Sequence, residues 1–194
     1  HVEIRGDTVL YASGNVEYLA GDTRILASSV TYDRLSGLVT IAGPITLFQG
    51  ESTVILASQA ELDAGLANGI MQNARLILDE QLQMAARELT RVDGRYTQLY
   101  KTVASSCQIC ANNPIPLWQI RAKRVVHDQL EKQLYFYDAQ FRALGVPLLY
   151  LPRLRMPDPT VKRARGFLQP SARASNLLGI GGVLPYFIPI GIVE

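Results

Sequence analysis

The sequence predicts an all-β chain, and three observations carry the prediction. Runs such as Val9-Leu10-Tyr11, Gly37-Leu38-Val39-Thr40-Ile41 and Ile45-Thr46-Leu47-Phe48 are rich in β-branched and aromatic residues and are broken by Gly, Asn or Asp, as strands joined by tight turns are. A strand–turn–strand unit recurs along the chain at near-regular intervals. The most apolar stretch, residues 177–193, approaches the length of a membrane helix but holds Gly179, Gly181, Gly182, Gly191, Pro185 and Pro189, which oppose a helix in its interior.

The chain has 194 residues, enough for one domain with an appendage. Its 48% hydrophobic and 19% charged content excludes disordered, collagen-like and simple coiled-coil classes. A net charge of +2 gives no argument for a nucleic-acid partner. The start, His1-Val2-Glu3-Ile4-Arg5, is polar and already alternating, so a secretory signal has been removed or the numbering begins inside a longer chain.

The repeat is visible when Ile25-Leu26-Ala27-Ser28-Ser29-Val30-Thr31-Tyr32-Asp33 is set beside Ile55-Leu56-Ala57-Ser58-Gln59-Ala60-Glu61-Leu62-Asp63. The stretch from Gln119 to Asp128 is a third copy, and Met84-Ala85-Ala86 through Asp93 a looser one. In the three close copies an Ala lies six residues before an Asp. Each Asp (33, 63, 93, 128) is followed by a turn-like stretch and another strand, and an Asp that accepts backbone hydrogen bonds suits that place. Leu82, Ala85, Ala86 and Leu89 recur at helical spacing, but Arg75 to Leu78 alternate, so a helix over 81–89 is the less favoured reading. Stacked copies imply a β-solenoid or a folded-over antiparallel sheet with a continuous apolar interior. Periodicity alone favours a closed core over an interior that holds an acyl chain.

Catalytic and metal chemistry find little support. Cys107-Gln108-Ile109-Cys110 lacks the βαβ context of a redox motif and supplies no second ligand pair for zinc; a disulfide is the simplest account, within the pair or elsewhere in a longer chain. The carboxylates are scattered over turns, no Ser sits in a nucleophile elbow, and the Gly-containing stretches lack phosphate-loop spacing. The expectation is therefore no catalytic residues, no metal and no cofactor. Arg153, Arg155, Lys162, Arg163 and Arg165 form a basic cluster bracketed by Pro152, Pro157 and Pro159, which reads as a solvated linker or as an attraction to anionic head groups.

One junction is more specific. Gly145-Val146-Pro147-Leu148-Leu149-Tyr150-Leu151-Pro152 continues into Pro157-Asp158-Pro159-Thr160-Val161-Lys162-Arg163 and ends in Gly166-Phe167-Leu168-Gln169-Pro170. This run resembles the junction of the LptD (OstA) family of lipopolysaccharide-assembly proteins. Ser106-Cys107 followed by Pro116-Leu117-Trp118-Gln119-Ile120 and Ala122 resembles the same family's cysteine-then-tryptophan strand, and the Asp-marked copies its periplasmic domain.

The resemblance implies a periplasmic β-jellyroll or β-taco, an OstA-like repeat stack, over residues 1–152. A Pro/Arg-rich connector over 153–166 and the first strands of an incomplete outer-membrane β-barrel over 167–194 would follow. It implies lipopolysaccharide transport at the outer membrane without enzymatic activity. An apolar groove would receive acyl chains from a periplasmic bridge protein (LptA-like) and deliver them to a lateral gate in a barrel plugged by a lipoprotein (LptE-like). The alternative is a soluble lipopolysaccharide-binding bridge protein of the same pathway.

Groove residues are expected at Val39, Ile41, Ile45, Leu47, Leu76, Leu78, Leu134 and Phe136. Val39 to Leu47 share a face by alternation, and a one-residue slip in register would invert the others. Pro170 and Pro185 match family prolines at the lateral gate, where a proline withholds a donor from the ladder and loosens pairing. Cys107 matches the family cysteine that pairs with a barrel cysteine, and Cys110 departs from that pattern. Closing a barrel takes at least about eight strands, so the sequence is expected to continue beyond Glu194.

Overall fold

The computed structural model describes residues 1–106, 116–161, 166–167, 171–175, 179–183 and 185–188. Among them strands alone form, and eleven of these make one antiparallel sheet whose spatial order is the chain order. They are β1 (Val2–Arg5), β2 (Val9–Ala20), β3 (Thr23–Asp33), β4 (Leu38–Gln49), β5 (Thr53–Asp63), β6 (Gly69–Leu78), β7 (Leu82–Val92), β8 (Tyr96–Ser105), β9 (Trp118–Asp128), β10 (Gln133–Ala143) and β11 (Val146–Pro157). Pairing between antiparallel neighbours excludes the parallel β-solenoid and leaves the folded-over sheet, a jellyroll or taco. Arg153–Pro157, the start of the expected connector, pair with β10 as the end of β11.

The turn ends follow from the aspartates. Asp33 accepts from the Leu35 amide (3.0 Å) and the Ser36 hydroxyl (2.8 Å). Asp63 accepts from the Ala67 and Asn68 amides, and Asp128 from those of Leu130 and Glu131. Asp93 takes the left-handed conformation (φ 53°) and gives its amide to the Asn68 side chain. A fifth mark, Asp158, follows β11 thirty residues after Asp128 and accepts from the Thr160 amide (2.8 Å). Turns also rest on turns: the amides of Ala64, Gly94 and Gln129 donate to the carbonyls of Gly37, Ala67 and Arg95.

What folds the sheet over is a line of irregularities crossing the strands at mid-length. The inward residues of β3 are 23, 25 and 27, then 30; those of β5 are 55 and 57, then 60 and 62; those of β9 are 118, 120 and 122, then 125 and 127. The same three-residue step occurs in β6, β7, β8 and β10. At this step β2, β6, β8 and β10 place Asn15, Asn73, Lys101 and Asp138 at φ between 48° and 52°, and β4 places Gly43-Pro44. Between β2 and β5 the register shifts at this line, and an extra residue in one strand bends it and sharpens its twist. From β5 to β10 the register is kept and the three-residue step continues the crease. The repeat's alanines, Ala27, Ala57, Ala86 and Ala122, face inward at the crease, each buried.

The crease also explains the helix-like spacing near residue 85. In β7 the inward residues are 82, 84, 86, 89 and 91, so the three-residue step imitates a helical period in a strand, and Ala85 faces out.

Residues 166–188 supply four short strands: β12 (Gly166–Phe167) pairs with β15 (Tyr186–Phe187), and β13 (Ser171–Ser175) with β14 (Gly179–Val183). The rest of the expected barrel segment lies outside the described residues.

Candidate functional site

The interior of the fold is one continuous apolar body. Val39, Ile41, Ile45 and Leu47 enter it from β4, Leu76 and Leu78 from β6, and Leu134 and Phe136 from β10. All eight are at most 2% exposed, so each faces inward. Ile25, Ile55, Leu62, Met71, Met84, Leu89, Leu99 and Val125 join them from the intervening strands. The stripe thus runs without a break from β3 to β10, along the stacking direction rather than along any one strand. Methionine at two of its positions supplies unbranched, adaptable packing.

Polar contacts bridge strands that are not neighbours in the sheet, which shows that its two wings face each other. The Tyr18 hydroxyl on β2 donates to the Ala64 carbonyl in the β5–β6 turn (3.0 Å). Gln49, at the end of β4, donates to Gln129 in the β9–β10 turn (3.0 Å), and Gln129 donates to Thr97 Oγ1 on β8 (3.2 Å). Arg91 points inward from β7 beside this row, 4% exposed, and its Nε and Nη1 have no hydrogen-bond partner among the described residues. Burial pulls its pKa down against the opposing charges of Asp22 and Asp63. The apolar interior is therefore rimmed on one side by a polar seam.

Charge at the turns is fixed by geometry. Arg95 holds Asp128 through two nitrogens (3.0 and 2.7 Å), and that bond, with the Glu131 and Leu130 amides, outweighs burial and lowers the carboxyl to about 2. Burial raises the Asp158 carboxyl, but the His127 ring (2.6 Å) and the Thr160 amide hold it below its ordinary value. The His127–Asp158 pair, both side chains at most 5% exposed, pins the end of β11 to β9 across β10.

Two open recesses flank the crease on β4–β6. One, of about 650 Å³, is lined by Pro44, Thr46, Leu56, Ser58 and Arg75 among others; the second, of about 330 Å³, by Thr40, Gln59, Glu61 and Gln72 among others. These named side chains alternate with the inward ones, so the recesses open on the outer face. Among the described residues no cluster of three His, Cys, Asp or Glu side chains is placed to hold a metal ion. Cys107, Cys110 and Pro170 lie outside the described residues. Pro185 is partly buried and directly precedes β15.

No family model matches the chain. Two proteins named LPS-assembly protein LptD do match it over 96% of its length: that of Pseudoalteromonas translucida (strain TAC 125), 28% identical over 188 residues, and that of Nitrosococcus oceani, 28% identical over 187. A third of the same name, from Yersinia enterocolitica, is 32% identical over 97 residues, half of this chain and 12% of that protein. The chain belongs to the LptD family. It spans 24% of the length of the first two relatives.

Three features of this LptD-family chain escape a reading of the sequence: the inward Arg91, the Gln49–Gln129 bridge and the His127–Asp158 pair. The first two depend on contacts between distant strands. The third left a trace, because Asp158 continues the thirty-residue spacing of Asp33, Asp63 and Asp93.

Proposed function

We propose that this chain conducts lipopolysaccharide toward the outer membrane from the periplasm, with the acyl chains carried in the interior of the folded sheet. The observation that supports it most is the unbroken inward stripe from β3 to β10, which offers an amphiphile one apolar path across eight strands. The relatives' shared name points to the same cargo. An acyl chain gains roughly 0.8 kcal/mol per buried CH₂, while a glycan keeps its hydration by staying outside the seam. Passage needs no bond made or broken, so the reading is of a transport component and not an enzyme.

In this reading a periplasmic bridge protein hands cargo to the chain. A barrel in the same polypeptide, plugged by a lipoprotein, receives it through a gate that Pro170 and Pro185 loosen. Residues 1–152 act in the periplasm, 153–166 lead to the membrane, and 167–194 begin the barrel.

The test is displacement of fluorescent lipopolysaccharide from the purified full-length protein by unlabelled competitors. Intact lipopolysaccharide is expected to displace the label and its deacylated form to fail at equal concentration. Equal displacement by both would place recognition on the glycan and contradict the reading.

A further inference from the structure

The crease has an outer side, and its charge changes along the stack. On β2 to β6 the outward residues at this level are uncharged: Asn15, Ser28, Pro44, Ser58 and Asn73. On β7, β8 and β9 they become Arg87, Lys101 and Lys123, all exposed. Lys101 stands opposite Lys123, because the β8–β9 register passes from Tyr100–Arg124 to Thr102–Ala122 around them. Neighbouring strands are about 5 Å apart, so three cations stand in a row.

The same outer face carries Arg121 and Arg124 on β9 and Arg153 and Arg155 on β11. Arg124 lies over the Tyr137 ring (4.4 Å) and Arg155 over that of Tyr135 (5.5 Å). Of the nearby carboxylates, Asp138 accepts from the Tyr150 hydroxyl and Glu131 from that of Tyr135 (both 2.8 Å); Glu88, beside Arg87, is the third. The whole chain shares the polarity: five Lys and Arg against eleven Asp and Glu in residues 1–90, fourteen against six in residues 91–194. Like charges placed opposite each other destabilise a sheet, and an external anion would offset that cost.

We propose that the outer face of β7–β11 is a docking surface for an anionic phospholipid leaflet. The edge strand supplies the apolar component: Leu148 and Tyr150 of β11 are 62% and 57% exposed, on the strand that carries Arg153 and Arg155. Tyrosines and arginines around an apolar edge suit the boundary between head groups and acyl chains. A soluble polyanion would engage the cations but leave that edge in water. The surface faces away from the apolar interior and does not depend on what the interior carries.

The experiment is co-sedimentation of the full chain with vesicles of pure phosphatidylcholine or of phosphatidylcholine with phosphatidylglycerol. The comparison is with the triple variant Lys101→Gln, Arg121→Gln, Lys123→Gln, and with Arg34→Gln, exposed in the acidic half, as control. Each cation is worth about fivefold in partitioning to a negative leaflet, so the triple variant is expected to lose about a hundredfold with the anionic vesicles. Its weak binding to neutral vesicles and the binding of the control should not change. Its urea midpoint should hold or rise, since repulsion is relieved, and this separates lost docking from lost folding. Equal binding of the unaltered chain to both vesicle types, or a triple variant that keeps its anionic binding, would overturn the proposal. Tight binding to heparin with none to either vesicle would overturn it in favour of a soluble acidic partner.

Discussion

Gly43 and Gly65 make opposite demands on the same chain. A Cβ on Gly43 would collide with the backbone carbonyl of Ser58, on the neighbouring strand at the crease, whereas one on Gly65 would meet only the Asp63 carboxylate at 3.8 Å. Backbone cannot move aside as a side-chain tip can. Gly43→Ala is therefore expected to cost about 2 kcal/mol or more, and Gly65→Ala to stay within about 0.5 kcal/mol. Urea unfolding of the two variants checks the contrast, and equal midpoints would contradict the close approach. At this scale Val39, Ile41, Ile45 and Leu47 could be set on one face from the sequence because they lie in an alternating run, whereas Leu76, Leu78, Leu134 and Phe136 depended on a register that only pairing fixes. Arg91 could not, since a charged residue at an inward position breaks the pattern that defines the face.

The turns at Asp33, Asp63, Asp128 and Asp158 are small electrostatic devices, and in the β9–β10 turn the carboxylate also holds an arginine. Asp128 has its carboxyl lowered from 3.8 to about 2, first by the hydrogen bond from Arg95. A carboxyl depressed in the folded state contributes stability that is present above its unfolded value and lost as pH falls through the folded one. Stability is therefore expected to decline between about pH 4 and pH 2. Asp33, Asp63 and Asp158 are shifted in the same direction and add to the decline. Asp128→Asn should cost about 1–2 kcal/mol at neutral pH and flatten the acid limb, read from urea midpoints across pH. A variant with the unaltered acid limb would show that Asp128 carries none of it. The turns were legible because Asp recurs at near-regular intervals with turn-forming residues behind it. The crease was not, because its markers are as different as Asn15, Pro44, Asn73 and Lys101, and only pairing aligns them.

For the molecule as a whole, the repeat implied stacking and the resemblance implied a folded-over jellyroll, and the eleven-strand sheet has that form. Local sequence could not say how the two wings meet, since Tyr18–Ala64 and Gln49–Gln129 join residues 46 and 80 positions apart. Nor could it show that Arg87, Lys101, Arg121, Lys123, Arg124, Arg153 and Arg155 gather on one outer face. Those residues are scattered in sequence, and their grouping follows from register. Transport by this fold requires that the inward stripe be the surface that lipid touches. Site-specific photo-crosslinking in cells tests this most directly, with the crosslinker placed in the full-length protein at Leu76 and Leu78, which face inward on β6, and at Arg75 and Ile77, which alternate with them. Lipopolysaccharide adducts are expected at 76 and 78 and not at 75 and 77. Adducts of equal yield at all four, or none at the inward pair in protein shown to be folded and inserted, would contradict it.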